Sequence, residues 1–251
     1  MSGHSKWSTI KRKKGAADAK RGQLFTRLAR EIAVAAREGG GDPEANFRLR
    51  LAIDKARTHN MPKDNIERAI ARGTGDSKEG GQLEEVYYEG YAPHGIALII
   101  HCVTDNRNRA VADIRHVLNR FGGSLGEGGS VSWQFRRVAY FSFPAAGMDE
   151  DEIFELAVEA GADDVFFEDE LIEIIGVVER FKDISDQLDA TGIETDEAGL
   201  RMIPNNELAL NPQDTLQVLR VIEALEDLDD VQDVYSNLNV STEMLAQLEA
   251  A

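Results

Sequence analysis

The chain has 251 residues, which is more than one hydrophobic core usually serves, so we expect two or three compact units. A hydrophobic content of 42% and a charged content of 29% exclude a disordered chain. The sequence shows no leader-like apolar segment and no run of about 18 apolar residues, so we expect a soluble cytoplasmic protein. The chain has one cysteine, Cys102, so an intrachain disulfide is excluded. Cys102 lies in an apolar run, and we interpret it as a buried structural thiol.

Charge is distributed unevenly along the chain. The net charge is −17, but residues 1–80 hold 18 Lys and Arg against 10 Asp and Glu, or +8. The remaining residues hold 10 basic and 35 acidic side chains, or −25. Within residues 1–30, nine cations stand against one acid, Asp18. This asymmetry indicates a polyanion-binding segment attached to an acidic body.

Residues 1–14, here called the N-terminal arm, combine small residues, clustered cations and one tryptophan without an apolar period. Lys and Arg neutralise phosphates, and an indole stacks on an unpaired base or packs on sugar, so the arm favours nucleic acid. The alternative is a solvated tail with its tryptophan docked on the helices that follow. The predicted nucleic-acid-binding residues, which continue from the arm onto the first helix, are Lys6, Trp7, Lys11, Arg12, Lys13, Lys14, Lys20, Arg21, Arg27 and Arg30.

Three helices are predicted in residues 1–80. Apolar residues at three- and four-residue spacings predict a first helix over residues 16–37, ended by three glycines. Asp42-Pro43 is expected to open a second helix that runs to about His59, and Met61-Pro62 a third that ends at Gly73. No helix is rich in Asn, Gln and Arg at base-reading positions, so we expect recognition of the nucleic-acid backbone or shape.

After residue 81 the pattern changes to alternating and β-branched runs. Strands over residues 85–91 and 95–103 form a predicted hairpin, followed by a helix over 106–121 and a strand over 130–135. A helix over 212–228 and a strand over 231–234 lack partners of their own, so we expect them to complete the sheet that begins at Glu85.

The segment between these two parts has the order strand, helix, strand, strand, helix, strand, which is typical of a ferredoxin-like domain. The predicted fold class is therefore multi-domain α+β, with an N-terminal three-helix domain, a discontinuous α/β middle domain and an inserted ferredoxin-like domain. The expected boundaries are 1–80 for the helical domain, 81–136 with 206–251 for the middle domain, and 137–205 for the acidic insertion.

A glycine-rich loop follows the helix over 106–121. It lacks the Lys-Ser/Thr ending of a P-loop and joins a helix to a strand, the wrong order for presenting a helix N-terminus to phosphate. We interpret it as a mobile connection, with a contact loop for a large partner as the alternative. Nearby arginines add positive charge to an acidic body, although helix capping is the favoured explanation of this segment. The residues of this alternative second contact are Arg107, Arg109, Gly122, Gly123 and Ser124.

Catalytic and metal-binding patterns are not found. The five histidines lack His-Glu-x-x-His spacing, and one cysteine cannot build a zinc site, so we expect no metal and no cofactor. The acidic run over 149–152 falls where a helix begins and where the helix dipole favours negative charge. We therefore expect no catalytic residues, no small-molecule substrate and no enzymatic activity.

Several motifs together resemble those of the YebC/PmpR family of bacterial regulators, which is related to the mitochondrial translational activator of cytochrome oxidase. The resemblance begins in the arm and continues in order across most of the chain. Its motifs are Gly3-His4-Ser5-Lys6-Trp7, residues 10–14, Leu24-Phe25 with Leu28, residues 60–66, Tyr88-Glu89-Gly90-Tyr91, residues 104–109 and residues 129–135.

The resemblance implies three domains, of which the last is ferredoxin-like and inserted into the middle one, and it implies no enzymatic activity. Family members are described both as DNA-binding transcriptional regulators and as ribosome-associated factors that help translation. We therefore expect a nucleic-acid-binding regulator, with DNA as the first candidate and ribosomal RNA as the alternative. Charge alone further suggests a protein partner for the acidic domain.

Overall fold

A computed structural model describes residues 17–76, 83–168, 171–241 and 244, with side chains described from Gly22 onward. Two compact units divide the chain: one runs from Arg136 to Ile203, and the other comprises the segments before and after it. The helices and strands confirm the predicted mixed α+β class, with helices first and sheets after them.

Three helices open the larger unit: α1 (Ala17–Gly39), α2 (Phe47–Thr58) and α3 (Lys63–Thr74). Their shared core includes Leu28, Ile32 and Leu49, none more than 1% exposed. Helix α3 approaches α1 so closely at Gly73 that an added Cβ would lie 2.3 Å from the Ala33 carbonyl oxygen. A glycine is therefore needed at this crossing.

Helix α2 begins four residues later than the sequence predicted. The expected cap at Asp42-Pro43 is wrong because the Asp42 carbonyl accepts from the Asn46 amide, closing a turn before the helix. The Asn46 side chain is the cap: it accepts from the Leu49 amide at 3.1 Å and donates to the Ala35 carbonyl at 2.7 Å. Asn46 thus fixes both the start of α2 and its contact with α1.

A four-stranded sheet forms the rest of this unit, and its strands are, in spatial order, β3 (Ser124–Leu125), β1 (Glu84–Tyr91), β2 (Ala97–Thr104) and β9 (Val231–Ser236). Strands β1 (Glu84–Tyr91) and β2 (Ala97–Thr104) are antiparallel, and helices α4 (Arg107–Phe121) and α7 (Pro212–Glu226) contribute to one core with β2. Strand β9 (Val231–Ser236) pairs with β2, so the predicted completion of the sheet by the end of the chain is confirmed. Cys102 is fully buried in this core, as expected.

One predicted strand is wrong. Residues 130–135 form a short 3₁₀ turn over Ser132–Gln134, while the strand of this region is the two-residue β3 (Ser124–Leu125) inside the glycine-rich segment. Strand β3 pairs with β1 through Tyr91 and Gly90. A further two-stranded parallel sheet joins β8 (Leu208–Ala209) to β10 (Leu238–Asn239).

The smaller unit has the predicted β-α-β-β-α-β order. Its elements are β4 (Phe135–Pro144), α5 (Glu150–Glu159), β5 (Asp164–Phe167), β6 (Leu171–Gly176), α6 (Phe181–Ala190) and β7 (Glu197–Pro204). The sheet order β5-β6-β4-β7 is that of a ferredoxin-like domain. Phe141 contacts Phe181 of α6 at 4.5 Å between ring centroids, so this helix packs on the sheet.

Candidate nucleic-acid interface

The N-terminal arm, which carries Lys6, Trp7 and the cations at positions 11–14, lies outside the described residues. Lys20 and Arg21 belong to α1, but the structure does not describe their side chains. The first 21 residues contain seven cations and one acid, a net charge of +6. Residues 22–76 contain ten cations and eight acids, a net charge of +2.

Arg27 and Arg30, both predicted to contact phosphate, make intramolecular contacts. Arg27 donates to the Glu226 carbonyl at the end of α7. Arg30 donates to the Asp229 carbonyl and forms an ion pair of 3.0 Å with Asp230, whose side chain is 6% exposed. Both arginines therefore join α1 to the turn between α7 and β9.

Other cations of the helical region are also partnered. Arg37 donates to the Leu83 carbonyl, Arg48 pairs with Glu38 and Glu85, and Lys55 lies 3.1 Å from Glu31. Exposed pairs join Arg57 to Asp54 at 3.0 Å and Lys63 to Glu67 at 3.5 Å. The described side chains of α1 to α3 thus offer little uncompensated positive charge.

Arg107 and Arg109, from the alternative second contact, also pair with carboxylates. Arg107 lies 2.5 Å from Glu84. Arg109 donates to both oxygens of Asp230 at 2.8 to 3.0 Å and to Asp105 at 2.8 Å. Asp230 consequently receives Arg30 and Arg109 together, and the predicted contact region is part of the joint between α1 and the sheet.

The glycines of this alternative contact have backbone roles. Gly122 ends α4 in the left-handed region with φ of 81°. An added Cβ on Gly123 would lie 2.5 Å from the Tyr91 carbonyl oxygen, and Ser124 pairs with Tyr91 in the sheet. The glycine-rich segment therefore turns the chain tightly from α4 into β3.

The loop after β3 is fixed by Glu89 of β1. Its carboxylate accepts from the backbone amides of Gly129 at 2.8 Å, Val131 at 2.7 Å and Ser132 at 2.9 Å. Burial alone would raise the pKa of Glu89, but these three hydrogen bonds outweigh it and lower the pKa. The loop presents Trp133, which is 72% exposed.

Sequence reasoning did not single out Trp133 for a role of its own, and it missed Arg115 and Arg120 on the exposed side of α4. Both arginines are exposed and have no carboxylate partner among the residues that the structure describes. The available sequence signal was the spacing of the apolar residues Ile114, Val117 and Leu118, which the structure shows to be buried and which places positions 115 and 120 on the solvent side of α4.

A charged cluster lies where the helical region meets the sheet. His101 of β2 is 2.8 Å from Glu85 and 3.1 Å from Asp233, and its ring stacks on Tyr87 with centroids 4.7 Å apart. Burial alone would lower the pKa of His101, but the two carboxylates outweigh it and raise the pKa to about 9. Burial alone would raise the pKa of Glu85, but His101 and Arg48 lower it to about 2. The cluster is thus a set of compensated charges.

The smaller unit presents an apolar stripe beside acids on α5. Phe154 and Val158, one turn apart, are 53% and 57% exposed. Asp151, Glu155 and Glu159 follow the adjacent exposed line of the same helix. The unit as a whole, residues 136–203, holds 5 cations and 19 acids, or −14.

Metal-binding and membrane-spanning features are not found in the described part of the chain. Across residues 17–76, 83–168 and 171–241, no group of three or more His, Cys, Asp or Glu side chains is arranged to hold a metal ion. None of the helices in these ranges is long and apolar enough to span a membrane.

Burial raises the pKa of the Cys102 thiol to about 12, which disfavours the reactive thiolate.

Comparison with known proteins gives matches over nearly the whole chain. The profile of the TACO1/YebC protein N-terminal domain matches residues 5–76, and that of the TACO1/YebC second and third domain matches residues 83–238. A probable transcriptional regulatory protein of Borrelia turicatae is 55% identical and covers 97% of this chain and 100% of its own. One from Chlorobaculum tepidum is 51% identical with 99% of both chains covered.

A solved structure has a similar fold and a similar sequence. The crystal structure of a conserved hypothetical protein from Aquifex aeolicus superposes with a TM-score of 0.84 at 43% sequence identity. The superposition covers 92% of this chain and 95% of that one. Both the sequence and the fold are therefore shared with proteins of this group.

Proposed function

Since this chain belongs to the TACO1/YebC family, we propose that it is a nucleic-acid-binding regulator of gene expression that binds DNA through its N-terminal arm. Relatives named probable transcriptional regulatory proteins support the regulatory role. In this proposal, Lys6, Lys11, Arg12, Lys13 and Lys14 contact phosphates, Trp7 packs beside them, and Lys20 and Arg21 extend the contact onto α1.

The distribution of compensated charge carries this proposal. The arginines and lysines of α1 to α3 whose side chains the structure describes already have internal partners, among them Arg27, Arg30 and Arg48. Binding a phosphate through these side chains would require breaking those contacts. The seven cations of the first 21 residues have only Asp18 to offset them within that segment, which leaves a net charge of +6. Phosphates are therefore expected to bind there first, while Arg27 and Arg30 hold the helical region on the sheet.

The protein is further proposed to work in the cytoplasm, without a cofactor, as a binding protein rather than an enzyme. Its acidic unit is proposed to engage a protein partner through α5, where Phe154 and Val158 lie beside Asp151 and Glu155. An apolar stripe next to carboxylates complements a basic amphipathic segment, in which apolar residues cover the stripe and cations face the acids.

Crosslinking in cells, followed by sequencing of both the bound DNA and the bound RNA, tests the target. Enrichment of promoter DNA without ribosomal RNA is the expected result. Enrichment of ribosomal RNA alone would show that the ribosome, the alternative target, is bound and DNA is not. The arm fits either target because DNA and RNA both present a phosphate backbone. The protein lacking residues 1–14 provides the control, and its crosslinks should be much weaker in either case. Unchanged crosslinking of that truncated protein would overturn the proposal.

A further inference from the structure

Trp133 is held in a fixed orientation although it is 72% exposed. Its Nε1 donates to the Ser130 carbonyl at 3.1 Å, and its own carbonyl accepts from the Asn205 side chain at 3.1 Å. The backbone before it is held by the Glu89 carboxylate. The indole has therefore lost much of its freedom before any ligand arrives, which reduces the entropy cost of binding.

The position of this ring relative to the sheet follows from a shared acceptor. The Tyr91 hydroxyl donates to the Ser130 carbonyl at 3.1 Å, the same oxygen that accepts from Trp133. Tyr91 pairs with Ser124, the first residue of the edge strand β3. Trp133 therefore lies along the β3 edge of the sheet, where α4 also ends, at Phe121, immediately after the exposed Arg120.

The chemistry of the exposed ring limits its ligands. Because its only N–H is bonded to Ser130, the indole offers its π face and no hydrogen-bond donor. Gly128 and Gly129 leave open space where side chains would otherwise stand. Arg115 and Arg120 on α4 add positive charge with no carboxylate partner in the described residues. Arg120 also lies over the Phe121 ring, 5.5 Å from its centroid. An exposed aromatic face and arginines that lack a carboxylate partner are the two elements with which proteins bind unpaired nucleotides.

We propose that the β3 edge is a second nucleic-acid site, specific for single strands, in which an unpaired base stacks on Trp133 and neighbouring phosphates lie against Arg120. The inference rests on the proposed function but uses different residues from the arm. Stacking requires a base released from a duplex, so this site would distinguish single-stranded from double-stranded nucleic acid, which the arm does not.

Fluorescence provides a local test because the chain contains two tryptophans, Trp7 and Trp133. In a Trp7→Phe background, Trp133 is the only indole. Titration with a 12-nucleotide oligouridylate should quench its emission, whereas a 12-base-pair duplex should leave it nearly unchanged. Unchanged emission at oligouridylate concentrations that saturate the protein would overturn the proposal. That result is also the one expected if the ring is a contact for a protein partner and not for nucleic acid.

Substitutions test the same site through the affinity of labelled oligonucleotides. In that background, Trp133→Ala should weaken single-strand binding by about 10-fold, from typical base-stacking energies, while Trp133→Phe restores most of it. Arg120→Ala should weaken it as well, whereas Arg220→Ala, an exposed arginine on α7, should not. Equal losses for single strand and duplex in Trp133→Ala would indicate a structural role and overturn the proposal.

The two proposals fail in different ways. Removal of residues 1–14 should weaken single-strand and duplex binding alike and leave the quenching of Trp133 present at saturating oligouridylate. Strong duplex binding by the truncated protein would contradict the arm proposal alone. If Trp133→Ala and Arg120→Ala both kept the parent preference for single strands, that result would contradict the β3-edge site alone.

Discussion

Arg48 of α2 and His101 of β2 share one acceptor, the Oε1 atom of Glu85, at 2.8 Å from each. This carboxylate atom is therefore one of the points that join the helical region to the sheet, besides the contacts of Arg30 and Arg37. With its pKa raised to about 9, His101 carries both ring protons at neutral pH and donates to Glu85 and Asp233 together. The joint is thus an alternating series of charges whose balance depends on pH.

Stability should fall as pH rises from neutral toward 10. The pKa of His101 is about 9 in the folded chain and 6.5 in its unfolded reference, so the stabilisation is complete below pH 6.5 and is lost as pH passes 9. The full difference corresponds to about 3 kcal/mol. Urea unfolding at pH 6, 7.5, 9 and 10 should show this loss in the parent chain.

In His101→Gln the same pH range should change stability much less, because the titrating group is absent. His116→Gln, at an exposed position of α4, is the matched control and should keep the parent pH profile. Parallel curves for the parent and His101→Gln would contradict the assigned role of His101.

Asp230 should be the most sensitive carboxylate at the other joint. Its nearly buried side chain accepts from Arg30 and Arg109, so Asp230→Ala leaves two arginines without their shared partner. Removing one member of a buried ion pair costs about 3 kcal/mol or more in unfolding free energy. The exposed neighbour in Asp229→Ala should change it by less than about 0.5 kcal/mol. Equal effects in urea unfolding would argue against the Asp230 joint.

Regular elements were predictable where periodicity decided them. Alternation over residues 85–103 predicted the β1-β2 hairpin, and α4 falls within the helix predicted over residues 106–121. The two-residue strand β3 is too short to show alternation, and its pairing depends on the approach of Gly123 to the Tyr91 carbonyl. Such a strand is fixed by tertiary contacts that a local pattern does not contain.

The site was harder to predict because charge in a sequence does not show which charges are compensated. Arg27 and Arg30 look like a continuation of the basic arm, yet their partners are Glu226, Asp229 and Asp230, about 200 residues further along the chain. The concentration of charge in the first 21 residues needs no such information, since it depends on local counting alone.

Replacing four arm cations should change the salt dependence of binding. In the variant with Lys11, Arg12, Lys13 and Lys14 changed to Gln, the negative slope of log affinity against log salt concentration should become shallower by about 3, since each phosphate contact contributes roughly 0.7 to 0.9. Changing Arg57 and Lys63, which are exposed and paired with Asp54 and Glu67, should leave the slope nearly unchanged. Fluorescence anisotropy from 50 to 300 mM KCl measures both. An unaltered slope in the arm variant would contradict phosphate binding by these residues.

Glu89 should control the rigidity of the loop that carries Trp133. Its carboxylate satisfies the amides of Gly129, Val131 and Ser132, so Glu89→Ala frees all three, at a cost of about 1 to 3 kcal/mol in unfolding free energy. In the Trp7→Phe background, the emission anisotropy of Trp133 should decrease in Glu89→Ala. Glu127→Ala, in the same loop, removes an exposed carboxylate and should leave the anisotropy unchanged.

Acid should reproduce the effect of Glu89→Ala in the otherwise intact loop. Because the amide hydrogen bonds lower the pKa of Glu89, the loop stays fixed above the ordinary carboxyl value of 4.5 and loosens only as pH falls through the lowered one. In Glu89→Ala, the affinity for single strands should fall as well as the emission anisotropy, because a mobile indole must be ordered when a base stacks on it. If Glu89→Ala lowered the anisotropy but left oligouridylate affinity and quenching at parent values, the fixed orientation of Trp133 would have no part in binding.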